Sequence, residues 1–368
     1  MAKWEPPYVA GGRMSISAAY NGVIRPVSNM YAAHNGVLKP VTQGLAAHEG
    51  VLKPFYSGEI TWGEPIDRPG LAQTKVVYGG GVWFGSATNG VLYYATDPEL
   101  PWVNTSTLGA VAFGDGRIVQ VHEEGAVFDA TAIEFRNAYP QPAPNVWRIR
   151  QDVRGLPGME RDFTIASNGE HVVIAGRGVY GVIGFARGLA NVTTNDPWES
   201  FGTAQYSESY PAAIPQDIAF GNGVWMASTY GLKSDGTGNA EGDIYRRNPA
   251  TGVWEEVGWG PSTKIAYGNG VWGATQRGSN GAYQPPIRSF DNGDTWWDFG
   301  YQTPDLSHIA YSSGKWVGIA YGDLYLYNPD WDEWVIAVVQ PPEGPFTGLS
   351  HGGGKWVAGG LGFIIVGK

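Results

Sequence analysis

Apolar residues recur along this chain in paired short runs, and each pair is separated by two turn-forming residues. Representative copies read VVYGGGVWFG, IAFGNGVWMA and IAYGNGVWGA. Apolar runs on both sides of a Gly-Gly, Asp-Gly or Asn-Gly pair predict a β-hairpin, because a type I′ turn needs positive φ at both central positions. Seven turn glycines mark the copies: Gly81, Gly116, Gly169, Gly223, Gly270, Gly314 and Gly354.

The spacing of these hairpins indicates a repeat architecture. Successive turn glycines are 35 to 54 residues apart, which is typical of one β-propeller blade per copy. A tryptophan recurs between them, which predicts an outermost strand covering the seam with the neighbouring blade. This series is Trp62, Trp102, Trp147, Trp198, Trp254, Trp297 and Trp334.

The last copy supplies only inner strands before the sequence stops. Glu59–Pro65 carries the first tryptophan, so we expect it to complete the last blade beside Phe363–Val366 and to remove open sheet edges. The sequence therefore predicts an all-β fold in which residues 59–368 form a seven-bladed β-propeller.

A second, shorter repeat occupies the first 58 residues. The units AAYNGVIRPV, YAAHNGVLKPV and LAAHEGVLKPFY place Gly22, Gly36 and Gly50 14 residues apart. Each unit predicts a hairpin, so residues 1–58 are expected to form a small β-hairpin-repeat domain ahead of the propeller. A single hairpin is marginally stable, so the three need each other or a partner.

These units, over Ala18–Tyr56, resemble the short Y-x-x-x-N-G-V-x-K/R hairpin repeats of bacteriophage and prophage tail proteins. They depart from those repeats at Pro26, Pro40 and Pro54, where the tails of the repeats are more basic. The resemblance implies a virion tail protein made in the host bacterial cytoplasm. It implies attachment to other tail proteins through residues 1–58, multiple copies per particle, and the propeller as a head.

One motif within the propeller has a more specific sequence than the repeats. Residues 289–296 read SFDNGDTW, a full S-x-D-x-G-x-T-W match that resembles the Asp-box of sialidase-like propellers. The chemistry of the motif predicts a structural role, because the aspartate accepts hydrogen bonds within its own turn and the glycine permits the bend. The F-R-I-P signature of sialidases is absent. The structural Asp-box residues are Ser289, Asp291, Gly293, Thr295 and Trp296.

The net charge of −10 is distributed unevenly. Residues 1–58 contain five basic and two acidic side chains, or +3, which leaves −13 on the remainder. Such an acidic head disfavours nucleic acid as a partner, because binding to nucleic acid depends on neutralising phosphates. The chain has no cysteine, no apolar stretch long enough to insert into a membrane, and no apolar signal-peptide core at its start.

Three long segments are expected on the face opposite the short turns, namely Thr203–Gln216, Thr229–Asp243 and Thr275–Pro286. Loops on a rigid scaffold commonly carry function, and aromatic rings beside polar groups suit the apolar faces and hydroxyl edges of sugars. The alternative is that these rings pack between blades. The predicted ligand-binding residues are Tyr206, Tyr210, Tyr230, Trp259, Tyr283, Tyr301, Asp235, Asn239 and Arg277.

Catalytic and metal chemistry find little support. The six histidines are scattered, and the Asp235–Asp243 loop has Arg246 where a calcium loop would need its glutamate, so neither a metal nor another cofactor is expected. We predict a non-enzymatic tail protein that recognises host surface glycan. The alternatives are a structural tail or baseplate component whose propeller contacts another virion protein, and a glycoside hydrolase with two facing carboxylates.

Overall fold

The computed structural model describes the strands between residues 31 and 54 and most of residues 60–368. Within 60–368 the undescribed positions are 73–75, 87–90, 115–116, 123–125, 142–147, 155, 158, 160, 179–181, 190–197, 206–213, 233–239, 242, 260–263, 279–281, 301–302 and 331.

Two antiparallel hairpins lie in the N-terminal region. Strand β1 (Tyr31–His34) pairs with β2 (Val37–Pro40), and β3 (Leu45–His48) pairs with β4 (Val51–Pro54). The third hairpin expected, around Gly22, lies outside the described residues. A separate hairpin-repeat domain over residues 1–58 therefore stays a prediction.

The remaining strands form seven antiparallel sheets, which confirms the predicted all-β, seven-bladed β-propeller. Blade 1 contains β6 (Val76–Gly79), β7 (Val82–Ser86), β8 (Val91–Ala95) and β9 (Val103–Leu108). Blade 2 contains β10 (Ala110–Gly114), β11 (Arg117–Val121), β12 (Ala126–Thr131) and β13 (Arg148–Asp152). Blade 3 contains β14 (Arg161–Ser167), β15 (His171–Arg177), β16 (Val182–Leu189) and β17 (Glu199–Gln205).

Blades 4 to 7 repeat this order from the axis outward. Blade 4 contains β18 (Ile214–Gly221), β19 (Val224–Leu232), β21 (Asp243–Arg247) and β22 (Trp254–Trp259), with the short β20 (Ala240–Glu241) on β19. Blade 5 contains β23 (Ile265–Gly268), β24 (Val271–Arg277), β25 (Tyr283–Ser289) and β26 (Trp297–Asp298). Blade 6 contains β27 (Leu306–Ser312), β28 (Lys315–Ala320), β29 (Asp323–Asn328) and β30 (Glu333–Val338). Blade 7 contains β31 (Phe346–Gly352), β32 (Lys355–Gly367) and, from the other end of the chain, β5 (Ile66–Ala72).

The glycine turns between the first two strands of a blade mostly have the predicted geometry. Asn222 and Gly223 have φ values of 47° and 78°, and the corresponding pairs in blades 1, 5, 6 and 7 are also positive at both positions. Blade 3 differs because its turn is longer. There the Asn168 side-chain oxygen accepts hydrogen bonds from the backbone N–H groups of Glu170 and His171 at 3.1 and 2.7 Å.

Neighbouring inner strands contact each other through an aromatic ring lying on a glycine. A Cβ added at Gly268 would overlap the Tyr311 ring of the next blade, and one added at Gly221 would overlap the Tyr267 ring. The same overlap would occur between Gly79 and Phe113 and, across the closure of the ring, between Gly352 and Tyr78. Only glycine permits so close an approach between the inner strands.

Residues 61–72 and the last strand, β32, close the propeller as predicted, with a longer pairing than expected. Thr61 and Lys368 exchange backbone hydrogen bonds of 2.9 and 3.0 Å, and Trp62 pairs with Gly367. Pairing then continues past Pro65 along β5, where Ile66 lies opposite Ile364. Glu59 lies outside the described residues.

The described tryptophans at the blade seams follow the predicted series with one correction, and Trp147 lies outside the described residues. Trp254 donates its indole N–H to the Phe201 carbonyl oxygen of the preceding blade at 3.0 Å, and Trp334 donates to that of Phe299 at 2.7 Å. In blade 5 this contact is made by Trp296, not by Trp297, which is 63% exposed. The prediction of Trp297 was wrong because adjacent residues point to opposite sides of an extended chain, and only the strand register selects between them.

A short helix, α1 (Ala132–Ala138), interrupts blade 2 between β12 and β13 and was not predicted. Its Phe135 is fully buried and packs edge-on against Phe84 and Tyr94 of blade 1 at 5.1 Å. The sequence carries a signal for it, because Thr131 followed by Glu134 is a capping-box pattern.

We expect closure to depend on the segment that includes Trp62 and β5. Removing residues 1–57 should leave the melting temperature of the propeller almost unchanged, whereas removing residues 1–72 should lower it sharply because blade 7 loses its outer strand. Thermal unfolding followed by circular dichroism compares the two truncations. Equal melting temperatures would contradict this account of closure.

We expect Gly268→Ala to destabilise the propeller by about 1–3 kcal/mol, because the added methyl group overlaps the Tyr311 ring. Gly63→Ala is the control, since its Cβ would lie 3.4 Å from the nearest described atom and its φ is not positive. Urea unfolding measures both variants. A loss at Gly268 no larger than at Gly63 would show that the close approach is not needed.

Candidate functional site on the loop face

The two faces of the propeller carry different connections. The turn face carries the glycine turns between the first and second strands and the turns between the third and fourth strands. The loop face carries the starts of the inner strands, the connections between second and third strands, and the connections between blades. The described residues among those predicted to bind ligand lie at strand ends on the loop face.

The long segments predicted as loops on this face are partly strand, which corrects the expectation. Strand β19 runs to Leu232, β24 runs to Arg277, and β25 begins at Tyr283. Pairing continues this far because each strand satisfies the backbone hydrogen bonds of the other. Side chains at these positions are therefore held by the sheet.

The predicted ligand-binding residues fall into three groups. Tyr206, Tyr210, Asp235, Asn239 and Tyr301 lie outside the described residues. Trp259 ends the outer strand of blade 4, opposite Asp243. Tyr230, Arg277 and Tyr283 are described and lie together, although they come from two blades.

The contact among Tyr230, Arg277 and Tyr283, here called the tyrosine–arginine cluster, crosses the seam between blades 4 and 5. Arg277 and Tyr283 lie opposite each other in β24 and β25, and Arg277 Nη2 donates to the Tyr283 hydroxyl at 2.6 Å. Arg277 Cζ lies 4.4 Å from the centre of the Tyr283 ring and 5.3 Å from that of Tyr230. Cation–π contacts of this kind contribute about 0.5–2 kcal/mol each, so the two rings position the guanidinium.

Arg277 retains unused hydrogen-bonding capacity. A guanidinium has five N–H donors, and Arg277 uses one on Tyr283. Its Nε is buried without an acceptor, and none of the carboxylates in the described part of the chain forms an ion pair with it. The cluster therefore presents a positioned cation at the edge of two aromatic rings.

Lys264 and His308 lie near this cluster at the starts of inner strands in blades 5 and 6. The Lys264 backbone N–H donates to the Thr275 hydroxyl at 3.0 Å. Burial, assisted by the positive charges of Lys264 and Arg277, lowers the pKa of His308 to about 3. The imidazole is therefore neutral at physiological pH, and its Nδ1 lies 3.1 Å from the Ser307 hydroxyl.

Tyr321 is a further candidate that the sequence analysis missed. It forms the turn between β28 and β29 on the loop face, has a φ of 53°, is 69% exposed, and donates its hydroxyl proton to Asp305 at 2.6 Å. A bulky residue with positive φ is uncommon and often occurs at functional sites. The Tyr-Gly pair before Asp323 was the available signal, since a two-residue turn there requires positive φ.

The turn of residues 289–296, which resembles an Asp-box in sequence, lies on the turn face, away from the tyrosine–arginine cluster. Asp291 accepts hydrogen bonds from the Thr295 backbone N–H at 2.8 Å and the Thr295 hydroxyl at 2.6 Å, while the Ser289 hydroxyl oxygen accepts one from Gly293 N–H at 2.8 Å. Burial would raise the pKa of Asp291, but the hydrogen bonds with Thr295 and Ser289 hold it below the ordinary value. The Trp296 indole N–H donates to the Val257 carbonyl oxygen at 2.9 Å. These contacts are all internal to the turn and the blade seam.

Ion pairs across blade seams are a second feature of the turn face. Arg288 of blade 5 pairs with both carboxylate oxygens of Asp332 in blade 6 at 2.7 and 2.9 Å. Arg246 of blade 4 pairs with Asp294 of blade 5 at 2.7 Å. Lys355 of blade 7 contacts Asp97 of blade 1 at 2.8 Å. These three cations are thus paired with carboxylates of the next blade, in contrast to Arg277. Arg247 on the turn face is an exception, because its guanidinium lies over the Phe201 ring at 3.8 Å and its Nε donates to the Phe201 carbonyl oxygen at 3.4 Å.

No group of three or more His, Asp or Glu side chains among the described residues could hold a metal ion. No helix among them is long and apolar enough to span a bilayer.

Comparisons with known proteins identify the fold only. No protein-family model matches the chain, and no curated protein matches it. Many solved structures resemble it, including two of YCF48 and one of virginiamycin B lyase. YCF48 bound to a D1 peptide is 14% identical, with a TM-score of 0.58 over 83% of this chain and 96% of that one. YCF48 from Cyanidioschyzon merolae is 11% identical, with a TM-score of 0.56 over 84% and 98%. Virginiamycin B lyase from Staphylococcus aureus is 10% identical, with a TM-score of 0.54 over 84% and 99%. At such low identity these likenesses support the propeller fold and assign no activity.

We expect the stability of the propeller to fall as the pH drops from about 6.5, because His308 has a lower pKa folded than unfolded and the unfolded chain takes up its proton first. The slope is at most about 1.4 kcal/mol per pH unit for one such group. His308→Gln should flatten the decrease in melting temperature between pH 7 and pH 5. His122→Gln is the control, since His122 packs against Phe128 in blade 2. Identical pH profiles for the wild type and His308→Gln would contradict the prediction.

Proposed function

We propose that this protein is a non-enzymatic receptor-binding protein of a phage tail and that its loop face recognises host surface glycan. The tyrosine–arginine cluster is the observation that carries the binding proposal. It combines two partly buried aromatic rings with a guanidinium that uses only one N–H donor on a described residue. Paired strands of two blades fix the position of these side chains.

Sugar recognition fits this chemistry. A pyranose ring stacks its C–H face on an aromatic side chain and offers its hydroxyl edge to nearby donors and acceptors. Tyr230 and Tyr283 supply rings, and Arg277 supplies donors. Tyr321 of blade 6, whose hydroxyl donates to Asp305 of the same blade, is a further exposed aromatic ring on the same face. A single shallow site of this size binds weakly, so adhesion requires several copies acting together.

The tail assignment rests on the N-terminal repeat. Two of its three units pair as short hairpins with a 14-residue spacing, and the region carries a +3 balance beside an acidic head. Short hairpins are marginal alone, so assembly onto other tail proteins would stabilise them. We propose attachment to the virion through residues 1–58, in several copies per particle.

We expect Tyr230→Ala and Tyr283→Ala each to reduce binding of the purified protein to host cells at least fivefold, because each removes a ring of the cluster. Trp297→Ala is the matched control, since it removes an exposed aromatic ring beside the Asp-box turn on the opposite face. Flow cytometry with labelled protein measures binding, and thermal unfolding verifies that each variant is folded.

The outcomes separate the proposal from its two alternatives. Undiminished binding by folded Tyr230→Ala and Tyr283→Ala would place the receptor site elsewhere. Absence of any wild-type binding to host cells would favour a structural tail component whose propeller contacts another virion protein. Release of reducing sugar from host polysaccharide by the wild type would favour a glycoside hydrolase.

A further inference from the structure

Arg277 and Arg288 are two arginines of the same blade in opposite electrostatic situations. Arg288 donates to both carboxylate oxygens of Asp332 at 2.7 and 2.9 Å, so its charge is neutralised within the protein. Arg277 has the Tyr283 hydroxyl and two aromatic rings as its partners, and no carboxylate among the described residues pairs with it. The blade thus contains one arginine used for structure and one with an incomplete set of partners.

The partners of Arg277 orient it without neutralising it. The rings of Tyr230 and Tyr283 hold the guanidinium at the blade seam, and the planar fork of donors matches a carboxylate in a bidentate arrangement. Asp217, the carboxylate of the adjacent inner strand, instead accepts the Ile265 backbone N–H at 3.3 Å. Asp217 therefore does not neutralise Arg277, whose guanidinium keeps donors that a carboxylate could accept from.

The Tyr283 hydroxyl adds a second donor at the same place. Its oxygen accepts a hydrogen bond from Arg277, which leaves its own proton without an acceptor among the described residues. An arginine fork and a phenolic O–H side by side can bind both oxygens of one carboxylate.

We propose that Arg277 and the Tyr283 hydroxyl form an anion subsite on the loop face, and that the glycan bound there carries a carboxylate, as in a hexuronic acid. This inference rests on the proposed recognition of glycan by this face. Tyr230 supplies a ring beside the carboxylate on which the sugar can stack.

The charge of the head favours a sparsely charged ligand over a polyanion. Residues beyond the first 58 carry −13, so a nucleic acid or a strongly acidic peptide would be repelled at long range. A single carboxylate on an otherwise uncharged sugar meets Arg277 at short range, where local contacts dominate. His308, neutral beside the cations Lys264 and Arg277, adds no positive charge of its own. Of the two cations, Arg277 is the one that the rings of Tyr230 and Tyr283 hold in a fixed position.

The test compares two sugars that differ only at C6, methyl β-D-glucuronide and methyl β-D-glucoside, by titration calorimetry with the full-length protein. We expect the wild type to bind the glucuronide at least tenfold more tightly than the glucoside. Arg277→Gln should abolish this preference. Arg277→Lys keeps the positive charge but lacks the planar pair of N–H donors, so it should retain part of the preference. Arg136→Gln is the matched control, since Arg136 is an exposed arginine of α1 at the blade 1 turn.

The results distinguish failure of this inference from failure of the proposed function. If the wild type binds both sugars equally and Tyr230→Ala abolishes both, glycan recognition stands and the anion subsite is wrong. If neither sugar binds, both proposals are overturned for these sugars. If a peptide with a free C-terminal carboxylate binds through Arg277 while the glucuronide does not, the subsite serves a protein partner and the sugar assignment is overturned.

A variant that lacks only one hydroxyl group keeps the proposal testable if Arg277→Gln is destabilised. If Arg277→Gln lowers the melting temperature, Tyr283→Phe decides, because it keeps the ring and deletes only the oxygen that accepts from Arg277. We expect Tyr283→Phe to lower the preference for glucuronide at least threefold at an unchanged melting temperature. An unchanged preference in that variant would overturn the role of the hydroxyl in the subsite.

Discussion

The close approach of an aromatic ring to a glycine of the preceding blade is the contact on which the propeller depends. It is seen between Gly221 and Tyr267, between Gly268 and Tyr311, and across the closure of the ring between Gly352 and Tyr78. Because no side chain intervenes, the inner strands of adjacent blades approach closely, and each ring also packs against a tryptophan of its own blade, as Tyr311 does at 5.0 Å. A larger residue at any of these glycines would force neighbouring blades apart. Since the ring closes on itself, a displacement at one seam has to be absorbed by the others.

The two arginines of blade 5 have different partners on the two faces. On the turn face, cations of one blade pair with carboxylates of the next, as Arg288 does with Asp332, and these pairs add to the packing at the seams. On the loop face, Arg277 is held by the rings of Tyr230 and Tyr283, and no carboxylate in the described part of the chain pairs with it. The difference is chemical as well as positional, because a neutralised guanidinium stabilises the protein, whereas one with unused donors is available to a ligand. This contrast is why the loop face is the better candidate for recognition.

The rigidity of the site follows from strand pairing. The segments that carry Arg277 and Tyr283 continue the sheet of blade 5 to its end, so both side chains project from paired backbone. Tyr230 is held in the same way opposite Ile214 in blade 4. A site positioned on strands loses less conformational entropy on binding than one on free loops. It can therefore select a ligand by shape even when each contact is weak.

The sequence alone determined the number of blades, most of the type I′ turns and the closure of the ring, because these follow from local patterns: two-residue turns, alternating apolar runs and a missing outer strand. It also identified Tyr230, Arg277 and Tyr283 as candidates by residue type. Only the tertiary structure decided that these three meet, since they come from two blades and their contact depends on the packing of one sheet against the next. The sequence pattern also could not predict that Trp296, and not Trp297, lies at the seam. Adjacent positions on an extended chain differ only in the face of the sheet to which they point. Local periodicity fixes which residues share a strand, whereas the charge partners and neighbours of a side chain depend on which blades pack together.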